Sequence, residues 1–200
     1  MDIVTKEIEQ VAYSILENNN CEEVADHSKM VANAARQIAS RFGLNEEYAY
    51  IAGILHDIGN IIPKEERVAF CNAFAIEVLE EEKIAPALLH SKVSKIIAKG
   101  IFGVEEEICN AIECHSTLKA NAGKLDLTLF VADKLSWDRK HNKEFIEEMM
   151  KGLDISLECA AFAYVKYLYK SEIEVIHPRT IEAFRHLEGL CKRKLITYSK

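Results

Sequence analysis

The segment Tyr48 to Ile58, Tyr-Ala-Tyr-Ile-Ala-Gly-Ile-Leu-His-Asp-Ile, is apolar on nearly every side when wound as a helix. A helix without a polar face has no stable place at a surface, so this one belongs in the middle of a bundle. It takes an ionisable pair, His56 and Asp57, into that interior. An unpaired carboxylate there costs several kcal/mol or shifts its pKa strongly. Residues 48–62 contain no basic side chain other than His56 itself. The positive partner is therefore an Arg or Lys from a distant helix or a divalent cation, which imidazole and carboxylate ligate well together.

The rest of the chain reads as further helices. Three prolines and eight glycines in 200 residues, with 49% hydrophobic content, favour an all-α fold with a sizeable core. Val4, Ile8, Val11 and Ile15 form one stripe of a first helix that ends before Asn18-Asn19-Asn20. A second helix from about Glu22 to Phe42 places His27 among Val24, Val31, Ala34, Ala35 and Ile38, and Gly43 stops it. Asn45 is placed to cap the central helix. Beyond the loop at Pro63, a polar-faced helix is expected over Lys64 to Glu82, then a stretch opened by Pro86 that carries His90. Glu105 to His115 and Leu125 to Trp137 follow, the latter enclosing Asp133, and two last helices are expected over 142–170 and 178–196. The expectation is one domain over 1–200, with a core at about 22–140 and the C-terminal helices, about 142–196, packed over the first ones.

A formal charge of -7 disfavours nucleic acid, whose phosphates need clustered Lys and Arg. It does not disfavour a small anionic substrate, because charge is screened over about 8 Å and the local site decides. The six cysteines form no CxxC pair and read as reduced core residues, with Cys109 and Cys114 as the weaker alternative of metal ligands. The start of the chain has no basic leader with an apolar run, and nowhere do eighteen apolar residues follow one another. A cytoplasmic protein with no membrane partner is expected.

One inward histidine is ordinarily a hydrogen-bonded core residue. Here an ordered set recurs: His27, His56-Asp57, His90, His115 and Asp133, within Leu-His-Asp-Ile at 55–58, Leu-Leu-His at 88–90, His-Ser-Thr at 115–117 and Val-Ala-Asp-Lys at 131–134. This pattern resembles the HD-domain metal-dependent phosphohydrolases, and within them the YqeK-type group that cleaves diadenosine tetraphosphate symmetrically and is also described as HD hydrolases of NAD metabolism. The resemblance implies an HD-domain helical bundle and two divalent ions, iron first, with manganese, zinc, cobalt or magnesium as alternatives. His27, His56, Asp57 and Asp133 would hold one ion and Asp57, His90 and His115 the other, with Asp57 bridging. His56 and Asp57 would carry catalysis, in which water made acidic by the metals attacks phosphorus.

The implied substrate is a small nucleotide, cleaved to two ADP, and the implied assembly a homodimer. Ser116, Thr117, Lys134 and Arg139 are the candidate substrate contacts, with Lys92 and Lys119 as further sources of charge and Trp137 as a stacking surface. His141, His177 and His186 lie outside the pattern and are expected at the surface. The chain departs from the group at Asn60, where a lysine is usual, so a phosphate contact is expected to be missing there. The alternatives are a nucleoside monophosphate or alarmone phosphohydrolase and a nucleotide-sensing module without catalysis.

Overall fold

The computed structural model describes residues 3–136, 143–171, 173 and 175–198, and every regular element among them is helical. In chain order these are α1 (Ile3–Asn18), α2 (Glu22–Arg41), α3 (Glu46–Leu55), a 3₁₀ turn at Ile58–Ile61, α4 (Arg67–Ala73), α5 (Glu80–Ile84), a second 3₁₀ turn at Pro86–Leu89, α6 (His90–Phe102), α7 (Glu106–Cys114), α8 (Lys124–Ser136), α9 (Lys143–Ile155), α10 (Leu157–Lys170) and α11 (Pro178–Tyr198). None is long and apolar enough to cross a membrane.

Two helices form the interior. In α3 every residue from Ala49 to Leu55 is buried, and in α8 every residue from Leu125 to Leu135. Asn45 caps α3 as expected, its side-chain oxygen accepting from the amides of Glu47 and Tyr48. Gly43, at φ +65°, supplies the left-handed residue after α2. α2 packs along both α3 and α8, and α7 and α10 close over α8 from other sides.

Two close approaches fix the geometry. A Cβ on Gly53 would fall on the Ala32 backbone, so α2 and α3 touch nearly main chain to main chain. A Cβ on Gly59 would fall on the His90 carbonyl and the Ser94 amide, which seats the first 3₁₀ turn on the start of α6. The Gly59 amide also donates to Ser94 Oγ at 2.8 Å.

The structure corrects several expectations. The buried edge of α1 is Thr5, Ala12 and Leu16, while Val4 and Val11 are exposed. The helix is rotated so that the Thr5 hydroxyl donates to Glu47. Residues 64–82 do not form one helix: Ala75, at φ 54°, ends α4, and the Ile76 amide returns to the Cys71 carbonyl. Among the described residues the C-terminal part holds three helices rather than two, because the Ser156 backbone is extended and its side chain caps α10 by accepting from the Cys159 amide. Of these helices, α9 and α10 lean on α8, and α11 on α10.

Candidate metal centre

The six ligand candidates come from five separate places in the chain and meet at one point. His27 projects from the first half of α2, and His56 and Asp57 stand where α3 ends and the 3₁₀ turn begins. His90 opens α6, His115 follows the last residue of α7, and Asp133 lies within α8. Three overlapping triplets bring their ligand atoms within 4.8 Å of one another: His27, His56 and Asp57; His56, His115 and Asp133; Asp57, His90 and His115.

The orientation of the imidazoles is set by the main chain. Nδ1 of His56, His90 and His115 each faces the carbonyl three residues earlier, at Gly53, Ala87 and Ile112, over 2.8, 2.6 and 2.8 Å. With Nδ1 donating to a carbonyl, a neutral imidazole presents Nε2 as an acceptor, and all three Nε2 atoms turn into the common space. There His90 and His115 Nε2 approach Asp57 Oδ1 at 3.0 and 3.4 Å, and His56 Nε2 approaches Asp57 Oδ2 at 3.5 Å. His27 Nε2 lies 3.1 Å from Asp133 Oδ1.

Proximity here does not amount to hydrogen bonding throughout. His56 Nε2 and Asp57 Oδ1 are buried and have no hydrogen-bond partner. Orphaned polar atoms of this kind are costly in a native interior, and a divalent cation shared among them would satisfy both. The nitrogen and oxygen donors suit zinc, iron or manganese. The residues present therefore fit the group that the sequence pattern implies.

Electrostatics point the same way. Burial pushes the Asp57 carboxyl up, but the imidazoles of His56, His115 and His90 gathered around it outweigh this and hold the group well below the usual range. Asp133 is also held low against burial, first by Lys134 and then by His27. Burial pushes His115 down to about 4, with His56 and His90 acting in the same direction, so it is neutral near pH 7. Both carboxylates and His115 are thus in ligand-competent form at neutral pH.

Four of the six ligand candidates, Asp57, His90, His115 and Asp133, line a cleft of about 410 Å³. Its lining is mixed: Asn60, Arg67, Ser116, Thr117 and His177 are polar, and Leu88, Leu168, Ile173, Val175 and Ile176 are apolar. Ser116 Oγ sits 3.2 Å from both His90 Nε2 and His115 Nε2. Thr117 lines the cleft, but its hydroxyl donates to the Leu118 carbonyl. Lys134 lines it as well, with its ammonium bonded to Asp133 Oδ2 and lying over the Phe130 and Tyr164 rings. Arg139, Trp137 and His141 lie outside the described residues.

Two expectations change. His177 is buried, 3.4 Å from Glu82 Oε1, and its Nδ1 accepts from the Arg179 amide. Lys92, expected as a source of charge for the substrate, is buried too, its ammonium paired with Glu82 Oε2 at 2.7 Å, and it does not line the cleft. Lys119 pairs with Asp126 at 2.8 Å. Cys109 and Cys114 are buried thiols that face the Val104 and Ala111 carbonyls, away from the ligand triplets. Arg67 carried no sequence signal. Its acceptors are two carbonyls and a side-chain amide, which no spacing rule marks.

Comparison with known proteins agrees with this geometry. The chain is 40% identical over 147 residues to an uncharacterised protein encoded in the pepC 5′ region of Lactococcus lactis subsp. cremoris, covering 73% of this chain and 75% of that one. It is 28% identical over 150 residues to the symmetrical bis(5′-nucleosyl)-tetraphosphatase of Bacillus subtilis (strain 168), covering 70% and 74%. A solved structure of a predicted HD superfamily hydrolase involved in NAD metabolism from Clostridium acetobutylicum superposes with a TM-score of 0.83 at 29% identity, over 90% of this chain and 97% of that one. The HD domain family profile matches residues 24–138, more than half of the chain and all six converging side chains, and the chain belongs to that family.

Proposed function

We propose that this chain is a metal-dependent phosphohydrolase that cleaves a nucleotide, with symmetrical hydrolysis of diadenosine tetraphosphate to two ADP as its reaction. The observation that carries the reading is the set of inward Nε2 atoms around Asp57 in a cleft lined by both polar and apolar side chains. A nucleotide has the same mixed character: a polyphosphate for the ligand set and a base for the apolar side chains. The similarity to the Bacillus subtilis enzyme supports the choice of substrate.

In this reading His27, His56, Asp57 and Asp133 hold one divalent ion, and Asp57, His90 and His115 a second. Asp57 belongs to triplets on both sides, which supports its bridging role. When bound, the metals supply Lewis acidity and lower the pKa of water, which makes a nucleophile available at neutral pH. The protein's part is orientation. The Gly53, Ala87 and Ile112 carbonyls keep three imidazoles turned inward, and Lys134 offsets the charge of Asp133. Ser116 Oγ, 3.2 Å from His90 and His115 Nε2, donates in this reading to a phosphoryl oxygen. Thr117 and Lys134 line the same cleft, and Arg139 completes the proposed substrate contacts.

The resemblance also assigns iron as the metal and a cytoplasmic homodimer as the form of the enzyme, which elemental analysis and light scattering test. The reaction itself is tested by following ADP release from diadenosine tetraphosphate by the metal-reconstituted protein. His56→Ala and Asp57→Ala should each lose at least about a hundredfold in rate, the scale expected when a catalytic metal is displaced or misplaced. Variants that cleave at the parental rate would remove the assignment.

A further inference from the structure

The cleft is lined by a cation outside the ligand set. Arg67, the first residue of α4, is only 6% exposed. Its Nε donates to the Ile62 carbonyl at 3.0 Å, one terminal nitrogen to the Ala87 carbonyl at 3.0 Å, and the other to Asn60 Oδ1 at 2.9 Å. All three acceptors are neutral.

That sets it apart. Among the described residues, three Lys or Arg side chains are buried: Arg67, Lys92 and Lys134. Lys92 holds Glu82 and Lys134 holds Asp133, whereas no carboxylate pairs with Arg67. The carboxylates that favour its charge, Asp57 first and then Glu65, act without an ion pair to it, and burying a guanidinium without a directly paired anion is costly. The three bonds leave one N–H on each terminal nitrogen, the spacing that suits two oxygens of one phosphate. Arg67 lines the cleft together with Asp57, Asn60 and His90.

We propose that Arg67 is the second phosphate contact of the site: it binds a phosphate next to the one attacked, so the cleft prefers a diphosphate or longer chain to a monophosphate. Asn60 is a positioning residue that, with the Ile62 and Ala87 carbonyls, fixes the plane of the fork. This inference rests on the phosphohydrolase reading and adds the selection of chain length to it.

The test is calorimetric titration of the metal-loaded protein with ADP and with AMP, for the parent, Arg67→Gln, Arg67→Lys and Asn60→Ala. Circular dichroism and metal content report whether each variant keeps its fold and centre. Arg67→Gln should weaken ADP roughly tenfold or more and AMP by less than about twofold, the loss expected for charge-assisted bonds to one phosphate. Arg67→Lys should recover part of the ADP affinity, because it restores the charge without the fork.

A folded, metal-replete Arg67→Gln protein with an unchanged ADP to AMP ratio overturns the proposal. If that variant does not fold, Asn60→Ala decides: a reduced ratio supports the assignment, and an unchanged one overturns it. A parent that binds inorganic phosphate but prefers ADP no more than AMP overturns the Arg67 assignment and leaves the phosphohydrolase reading standing. A metal-replete parent that binds none of the three overturns both.

Discussion

His90 and His115 face each other with their Nε2 atoms 3.0 Å apart, while the Nδ1 of each is engaged by a main-chain carbonyl. If both rings are neutral with Nδ1–H, two lone pairs point at one another, an arrangement that a cation relieves. Burial keeps His115 neutral near pH 7, so protonation of that ring does not supply the relief.

Metal removal should therefore destabilise the fold. At about a thousandfold excess over the dissociation constant, a bound ion contributes about 4 kcal/mol. For a chain of this length, that corresponds to a melting temperature on the order of 10 °C lower after chelation. Thermal melts before chelation, after it and after metal restoration check this; a melting temperature that does not respond would contradict it.

A crowded glycine, Gly59, and an open one, Gly100, separate positioning from simple helix propensity. Gly59→Ala should destabilise by about 1–3 kcal/mol, since the new methyl group meets the His90 carbonyl and Ser94 amide. It should also weaken metal binding, because Asp57 and His90 are no longer held in register. Gly100→Ala, within α6 and with nothing within 4 Å, should instead stabilise by up to about 1 kcal/mol. Denaturant melts of the two variants should move in opposite directions.

Glu82 gives the structure an acid-sensitive buried cluster with Lys92 and His177. Burial raises its pKa, but the hydrogen bonds from His177, Lys92 and the Leu79 amide outweigh this and lower it to about 2 from 4.5. A carboxyl depressed in the folded state contributes stability above its unfolded pKa and loses it as pH falls through the folded value. The window is thus about pH 4.5 down to 2, and the contribution is on the order of 3 kcal/mol. Glu82→Gln should flatten that part of the stability profile and lower stability at pH 7, because Lys92 is left buried without its anion. An identical pH profile in both proteins would refute this account of the cluster.

The legible parts of the fold were those with a local physical signature. α3 and α8 lack a polar face, and burial on all sides follows from that alone. Asn45 and Gly43 announced their helix ends. His56 and Asp57 stood out because an ionisable pair in an apolar run needs a partner, and ordered histidines elsewhere offered one. The break at Ser156 was readable as a cap inside a helical pattern. The end of α4 was less so, because Ala75 takes the left-handed conformation that glycine usually marks. His177 and Glu82 are 95 residues apart, and Arg67 is held mainly by carbonyls, so neither arrangement leaves a pattern in the chain.

Metal stoichiometry bears most directly on the central claim, that the inward imidazoles and the two aspartates hold ions together. Elemental analysis of the metal-reconstituted protein and of Asp57→Ala, after exhaustive buffer exchange, is the measurement. About two ions per chain are predicted for the parent, as in two-metal hydrolytic sites, with a clear fall in the variant because one carboxylate serves both positions. A parent that retains no metal, or an Asp57→Ala protein that retains as much as the parent, would contradict the account.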